Sequence, residues 1–208
     1  MSAPDPLRMV DAPMAAQRRF IIEAALADPV CAAILERAGG LNLPGWRLCA
    51  GAVYQNVWNA LTGRAPGHGV ADYDIAYFDP SDLSYEAEDA VIRRCAAAFA
   101  DIDAEIEVRN QARIHLWFNA KFGAHRPAFT CTEDGINAYA ADAHKLGLRR
   151  TADGSLDLYA PAGFSDVLAM RVAPCADAVD LDGFARKAAR WKRSWPELAV
   201  RLTPIRPG

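Results

Sequence analysis

The 208-residue sequence has no apolar run approaching the ~20 residues that span a bilayer. Its N-terminus, MSAPDPLRMVDAP, is broken by prolines and acids and lacks the apolar centre of a secretory signal. Both absences lead to the expectation of a cytoplasmic protein with no membrane contact. Charge of one sign is scarce too: 23 Lys and Arg face 26 Asp and Glu, a formal net charge of −3. Nucleic-acid binding through summed cationic charge is therefore unsupported by composition, although a local basic stripe stays open. The five cysteines, Cys31, Cys49, Cys95, Cys131 and Cys175, form no C-x-x-C pair, and the four histidines show no zinc-type spacing. They read as buried, reduced thiols. G-x-S-x-G, G-x-x-x-x-G-K-[ST] and G-x-G-x-x-G are all missing, which argues against covalent hydrolases, P-loops and dinucleotide-binding folds. What remains is 52% hydrophobic and 24% charged, the make-up of one folded domain.

Residues 1–45 read as an N-terminal helical segment and 46–208 as the main unit. Apolar residues at helical spacing predict a helix from Met14 to about Leu26, and Asp28-Pro29 reads as the cap and first residue of a second. A short strand, Trp46 to Cys49, leads through a tight Ala50-Gly51-Ala52 turn into a helix that Gly63 closes. Ala71 to Phe78 reads as a strand, followed by a helix to about Phe99, a strand at Ile106 to Arg109 and a helix from Gln111 to Phe122. Thr130 and Glu133 fit a capping box. Lys145–Arg150 and Leu156–Tyr159 flank Asp153-Gly154, a hairpin signal, and the last helix runs from Leu181 to Trp195. This alternation predicts an α/β (α+β) architecture: a mixed sheet flanked by helices, with a C-terminal β-hairpin and helices. Leu83, Tyr85, Trp117 and Phe118 read as core packing.

The chemistry concentrates on few residues. Two apart on a strand, Asp72 and Asp74 share a face with Cα atoms ~7 Å apart. Such a pair can hold a hard cation such as Mg²⁺ or Mn²⁺, or it can simply be a solvated strand edge. Glu107 on the next strand is a candidate third carboxylate, enough to hold two metals if the strands are neighbours. The backbone N–H groups at Gly51 and Ala52 open a helix and suit phosphate. Arg109 and Arg113 flank Glu107 and are placed to offset polyphosphate charge. Asn56 and Asn59 lie on the helix after Gly51, where they either read a nucleotide or decorate a polar face. On the last helix, Phe184, Ala188, Trp191 and Trp195 form an apolar face. The cations then fall largely toward solvent, from where Lys187 or Arg190 can reach a triphosphate.

The order of these features resembles the nucleotidyltransferase superfamily of the DNA polymerase β type. The matching stretches are Gly51-Ala52, Ala71-Asp-Tyr-Asp-Ile75 and Glu107. The resemblance is tighter to a bacterial nucleotidyltransferase-like family of unestablished function, from about Trp46 to Val200. It is carried by AGAVYQNVWNAL, DYDIAYFDPSDLSYEAEDAVIRR, IEVRNQARIHLWF, LDLYAPAGFSDVLAMRVAPC and KAARWKRSWPEL. It implies metal-dependent transfer from a nucleoside triphosphate, such as ATP, to an unknown acceptor: a small molecule, an RNA or a protein. Asp72, Asp74 and Glu107 would be catalytic metal ligands. Gly51, Ala52, Asn56, Arg109, Arg113 and Lys187 would bind the nucleotide. Two departures favour an alternative, an inactive nucleotide- or partner-binding module on the same fold. Ala52 stands where a Gly or Ser is usual, and Glu107 where Asp is commoner.

Overall fold

Asp28 separates the first two helices. Its carboxylate accepts the Val30 N–H at 3.0 Å and Pro29 takes the first helical position, so α1 (Met14–Ala27) ends and α2 (Pro29–Arg37) begins. The same carboxylate is 1% exposed and accepts from the Tyr73 hydroxyl and the Asn56 amide, both at 2.9 Å. One buried acid thus ties the helical layer to the sheet. The computed structural model describes residues 6–204 except residue 124.

Five strands form the main sheet: β1 (Arg47–Cys49), β2 (Tyr73–Tyr77), β3 (Ile106–Asn110), β4 (Gly147–Arg150) and β5 (Leu156–Tyr159). Their order is β3-β2-β1-β4-β5. Only β2 and β3 run parallel, joined across α4 (Tyr85–Ala98); the other pairs are antiparallel. The expected hairpin is β4–β5. One face of the sheet carries Leu48, Tyr73, Ile75, Tyr77, Val108 and Leu148, all buried. α1, α2 and α3 (Gly51–Thr62) form a helical layer in the same core. Gly63 ends α3 in the left-handed conformation, at φ +66°, as its position predicts. The core runs unbroken from Met9 to Leu198, so the N-terminal helices and the sheet share it.

Alternation puts Arg47, Cys49, Asp74, Ala76, Glu107 and Arg109 on the opposite face. A short helix, α6 (Thr132–Asn137), covers part of it through Ile136 against Cys49 and Ala76. Gly147 permits this: a Cβ there would lie 2.5 Å from Ile136 Cδ1. The capping box expected of Thr130 and Glu133 does not form. Asp134 takes the Thr130 N–H and hydroxyl, both at 2.8 Å, because Glu133 is drawn to the buried Arg47 at 2.8 Å.

The C-terminal part adds α7 (Ser165–Leu168), β6 (Arg171–Val172), α8 (Leu181–Ser194) and β7 (Ala199–Val200). The β6–β7 pair is parallel and was not legible in the sequence. Trp191 and Trp195 of the α8 segment pack edge-on against Trp58, and the Trp195 indole N–H donates to Asn59 Oδ1 at 2.9 Å. Three expectations need correction. Cys31, Cys49 and Cys95 are buried, but Cys131 and Cys175 are only partly so. The strand Ala71–Phe78 is shorter than expected, with Asp72 just ahead of β2. Leu83, Tyr85 and Trp117 are exposed rather than core, and α5 (Ile114–Phe122) has no fully buried residue.

Candidate active site

The turn between β1 and α3 is strained. Ala50 has φ +47°, a conformation that costs a non-glycine residue about 1–3 kcal/mol. It is held by its N–H to Leu146 O at 3.0 Å and by its carbonyl, which accepts from Val53 and Tyr54 at 2.8 and 3.0 Å. The strain turns the start of α3 outward, and the Gly51 and Ala52 N–H groups, among the first of the helix, have no intrahelical partner. A Cβ at Gly51 would lie 3.0 Å from Gln55 Nε2 and 3.8 Å from Asp72 Oδ1. A side chain there would fill the space between the turn and the carboxylates.

That space opens into a cavity of about 490 Å³. Gly51, Asp72, Asp74 and Arg109 line it, together with Lys187 and Arg190 of α8. Burial, then the negative charges of Asp72 and Glu107, push the Asp74 carboxyl up from 3.8 to about 7, against the pull of Lys187 and Arg109. Tyr54 lies deeper, its hydroxyl raised by burial and sensing Arg190, Asp72 and Asp74. His144 stacks on Tyr54 at 4.5 Å, and burial followed by Lys187 pushes it down to about 3. Its imidazole is therefore neutral at physiological pH.

The sequence candidates divide into two groups. Asp72, Asp74, Gly51, Arg109 and Lys187 meet at the cavity. Glu107 sits beside Asp74 in register, but its carboxylate is tied to Arg109 at 3.1 Å and does not line the cavity. Among the described residues, no three His, Cys, Asp or Glu side chains gather closely enough to share one cation. The expected three-carboxylate cluster is thus not assembled in this arrangement, because the third arm has a nearer cationic partner. Arg113 is turned away, paired with Glu88 and donating to Leu83 O at 3.0 Å. Asn56 is 1% exposed: it donates to Asp28 at 2.9 Å and to Ala52 O at 2.8 Å, and accepts the Gly67 N–H at 2.7 Å. Ala52 is buried and does not itself line the cavity, which Ala50 and Gly51 do.

Sequence reasoning missed Gln55, His144 and Tyr139 as cavity residues, and named Arg190 beside Lys187 as able to reach a triphosphate. The signal for Arg190 was its three-residue spacing from Lys187, which puts both on one helix face. Gln55 offered a weaker one, a polar residue one turn after the glycine. It is 2% exposed and its Oε1 has no partner. An orphaned buried acceptor and two carboxylates lining one cavity are oxygen donors of the kind a hard divalent cation takes, with water and phosphate oxygens completing the shell.

Three comparisons bear on this arrangement. A family model described as Nucleotidyltransferase matches residues 36–200. A solved structure, described in the words "The NMR structure of the protein reveals a CCA-adding enzyme head domain", is 26% identical with a TM-score of 0.72, covering 87% of this chain and 94% of its own. No curated protein matches the sequence.

Proposed function

The chain belongs to a nucleotidyltransferase family, and from that premise we propose that it moves a nucleotidyl group from a nucleoside triphosphate to an acceptor hydroxyl with the help of Mg²⁺ or Mn²⁺. The observation that carries the reading is the meeting of the Gly51 turn, Asp72 and Asp74, and the cations Arg109, Lys187 and Arg190 in one cavity. Nucleotide addition is also what the description of the solved neighbour names.

Asp72 and Asp74 would hold the cation, which when bound neutralises phosphate charge and polarises the group being transferred. The Gly51 and Ala52 N–H groups hold phosphate oxygens at the start of α3. Lys187 and Arg190 take the β- and γ-phosphates from the facing helix, and their charge offsets what builds up on the leaving pyrophosphate. The acceptor oxygen forms a bond to the α-phosphorus, and the bond from that phosphorus to the bridging oxygen breaks. The hydroxyl proton would pass to Glu107 once it exchanges Arg109 for the substrate side; were Glu107 instead to hold a second cation, the proton would leave to solvent water. This is catalysis by positioning and electrostatics, with no covalent protein intermediate.

Isothermal titration with ATP and Mg²⁺ tests the reading. Binding is expected for the natural protein and its loss for the Asp72→Asn/Asp74→Asn double variant; equal binding, or none, in both refutes it. A second reading, a nucleotide-binding module without turnover, is favoured by the Glu107–Arg109 pairing and by Ala52. Pyrophosphate release from NTPs that disappears in Asp74→Ala eliminates that module.

A further inference from the structure

The helix α5 is built unlike the others. Its nine residues, IHLWFNAKF, include five large apolar side chains, yet none is fully buried. Leu116 and Trp117 are 51% and 43% exposed. A helix this apolar ordinarily turns one stripe into a core. Here Trp117, Phe118, Lys121 and Phe122 instead line the cavity that holds Asp72 and Asp74. The loop after it folds back over the same wall. Asn119 fastens it with two hydrogen bonds, donating to Arg126 O at 3.0 Å and accepting the Arg126 N–H at 2.7 Å. This puts the Arg126 guanidinium 3.8 Å above the Phe118 ring. Lys121 lies 5.8 Å from the Trp117 ring.

The lining therefore combines aromatic rings with the cations Lys121 and Arg126, and Arg109 and Lys187 line the same cavity. A planar, π-rich group attached to a polyanion matches both halves of that surface. The cavity volume of about 490 Å³ lies within the range of pockets that enclose a single small-molecule ligand. We infer that Trp117 on α5 is the stacking platform for the nucleobase of the incoming nucleoside triphosphate, with Lys121 and Arg126 flanking it. This rests on the reading of the cavity as a triphosphate site and adds where the base lies. Phe118 is capped by Arg126, so Trp117 offers the open face. A ring stacks on any base, because every base has a π-face, whereas discrimination needs hydrogen bonds to base edges. The platform accordingly binds the four common bases with similar strength.

The test compares nucleotides with inorganic tripolyphosphate, which shares the charge and lacks the base. Titrations use the full chain with Mg²⁺, as natural protein, Trp117→Ala and Trp117→Phe. Trp117→Ala is expected to weaken ATP binding about tenfold, to leave tripolyphosphate within about twofold, and Trp117→Phe to restore most of the loss. Exposure of Trp117 means the variants fold, which thermal melts verify. Equal losses for ATP and tripolyphosphate, or no loss for either, overturn the inference while the triphosphate site stands. So does a natural protein that prefers one base a hundredfold. If the natural protein binds neither ligand, the triphosphate reading fails and this inference fails with it.

Discussion

Replacing Asp74 with asparagine should make the protein more stable, and more so at alkaline pH. The free carboxylate ionises near 3.8, whereas in the folded chain Asp74 does so at about 7, chiefly because it is buried and secondarily because Asp72 and Glu107 repel its charge. Between those values the folded state binds a proton that the unfolded state has released. Stability therefore falls as pH rises from about 4 to about 7 and stays low above that. At ~1.36 kcal/mol per pH unit, ionising the group costs the fold about 4 kcal/mol at pH 8, and at pH 5, where the folded carboxyl stays protonated, keeping that proton costs about 2 kcal/mol. Asparagine keeps the shape and the buried polar atoms but removes the charge, so about half of each figure should be recovered. For a chain of this size that is a melting-temperature gain of about 4–8 °C at pH 8 and about half as much at pH 5. A cation between Asp72 and Asp74 relieves the same repulsion. Mg²⁺ should raise the melting temperature of the natural protein at pH 8, do so less at pH 5 where the proton competes, and leave Asp74→Asn unmoved. Differential scanning fluorimetry across pH 5–8, with and without Mg²⁺, measures all of this. A variant that melts lower at pH 8, or a gain independent of pH, refutes the reasoning.

Three other perturbations separate binding from stability. Asn56→Ala removes an amide that bridges Asp28 and the Gly67 N–H, and should cost about 2–3 kcal/mol in urea denaturation while ATP affinity of the folded protein stays the same; a selective loss of ATP binding would return Asn56 to the nucleotide. Lys187→Ala and Arg190→Ala should each weaken ATP and tripolyphosphate alike by about tenfold, as loss of a charge-assisted contact does, with unchanged melting temperature; an effect on ATP alone contradicts a phosphate role. Arg47 is 4% exposed and bridges Glu133 at 2.8 Å and Asp157 at 2.9 Å. Arg47→Ala should destabilise by about 1.5–3 kcal/mol, seen in chemical denaturation, because it leaves Glu133 without its cation and empties a buried position, while Asp157 keeps Arg149 at 3.2 Å.

How much the sequence disclosed depended on whether a feature is local. The Asp28-Pro29 helix start, the Gly51 turn, the Gly63 stop and the D-x-D spacing are each fixed by a few adjacent residues, and all are present where expected. Alternation along β2 made the face of Asp74 legible, while Asp72 lies just ahead of the strand and joins it at the cavity. The Glu107–Arg109 pair is equally local, two residues apart on one strand face, and was passed over because both groups were assigned to the ligand rather than to each other. Trp117 and Phe118 read as core because apolar helical residues usually have a sheet or helix beneath them. Here α5 follows the end of β3 and the short turn Gln111–Arg113, and extends over the cavity instead. No local pattern records which side of a helix has something under it. Gln55, Tyr139 and His144 come from three separate segments, and only the folded sheet brings them to one wall.

The position of the α8 cations shows why packing and function cannot be assigned to different residues here. Lys187 and Arg190 line the same cavity as Asp72 and Asp74, yet among the described residues neither closes onto a carboxylate within 4 Å, whereas Arg109 does. Flexible cations facing a half-buried, repelling acid pair would lower their energy by collapsing onto it, unless their backbone is held away. Beside them on α8, Phe184 and Trp191 are buried and line the same cavity, Ala188 is buried, Trp195 just beyond is hydrogen-bonded to Asn59, and Asp180 caps the first turn through the Gly183 N–H at 2.7 Å. The aromatic face therefore sets the width of the cavity that the cationic face lines. An anion carrying several charges can bridge that width, taking the cations on one side and a carboxylate-bound metal on the other. The amphipathic pattern that reads as simple core packing is thus the device that keeps opposite charges apart until such an anion arrives.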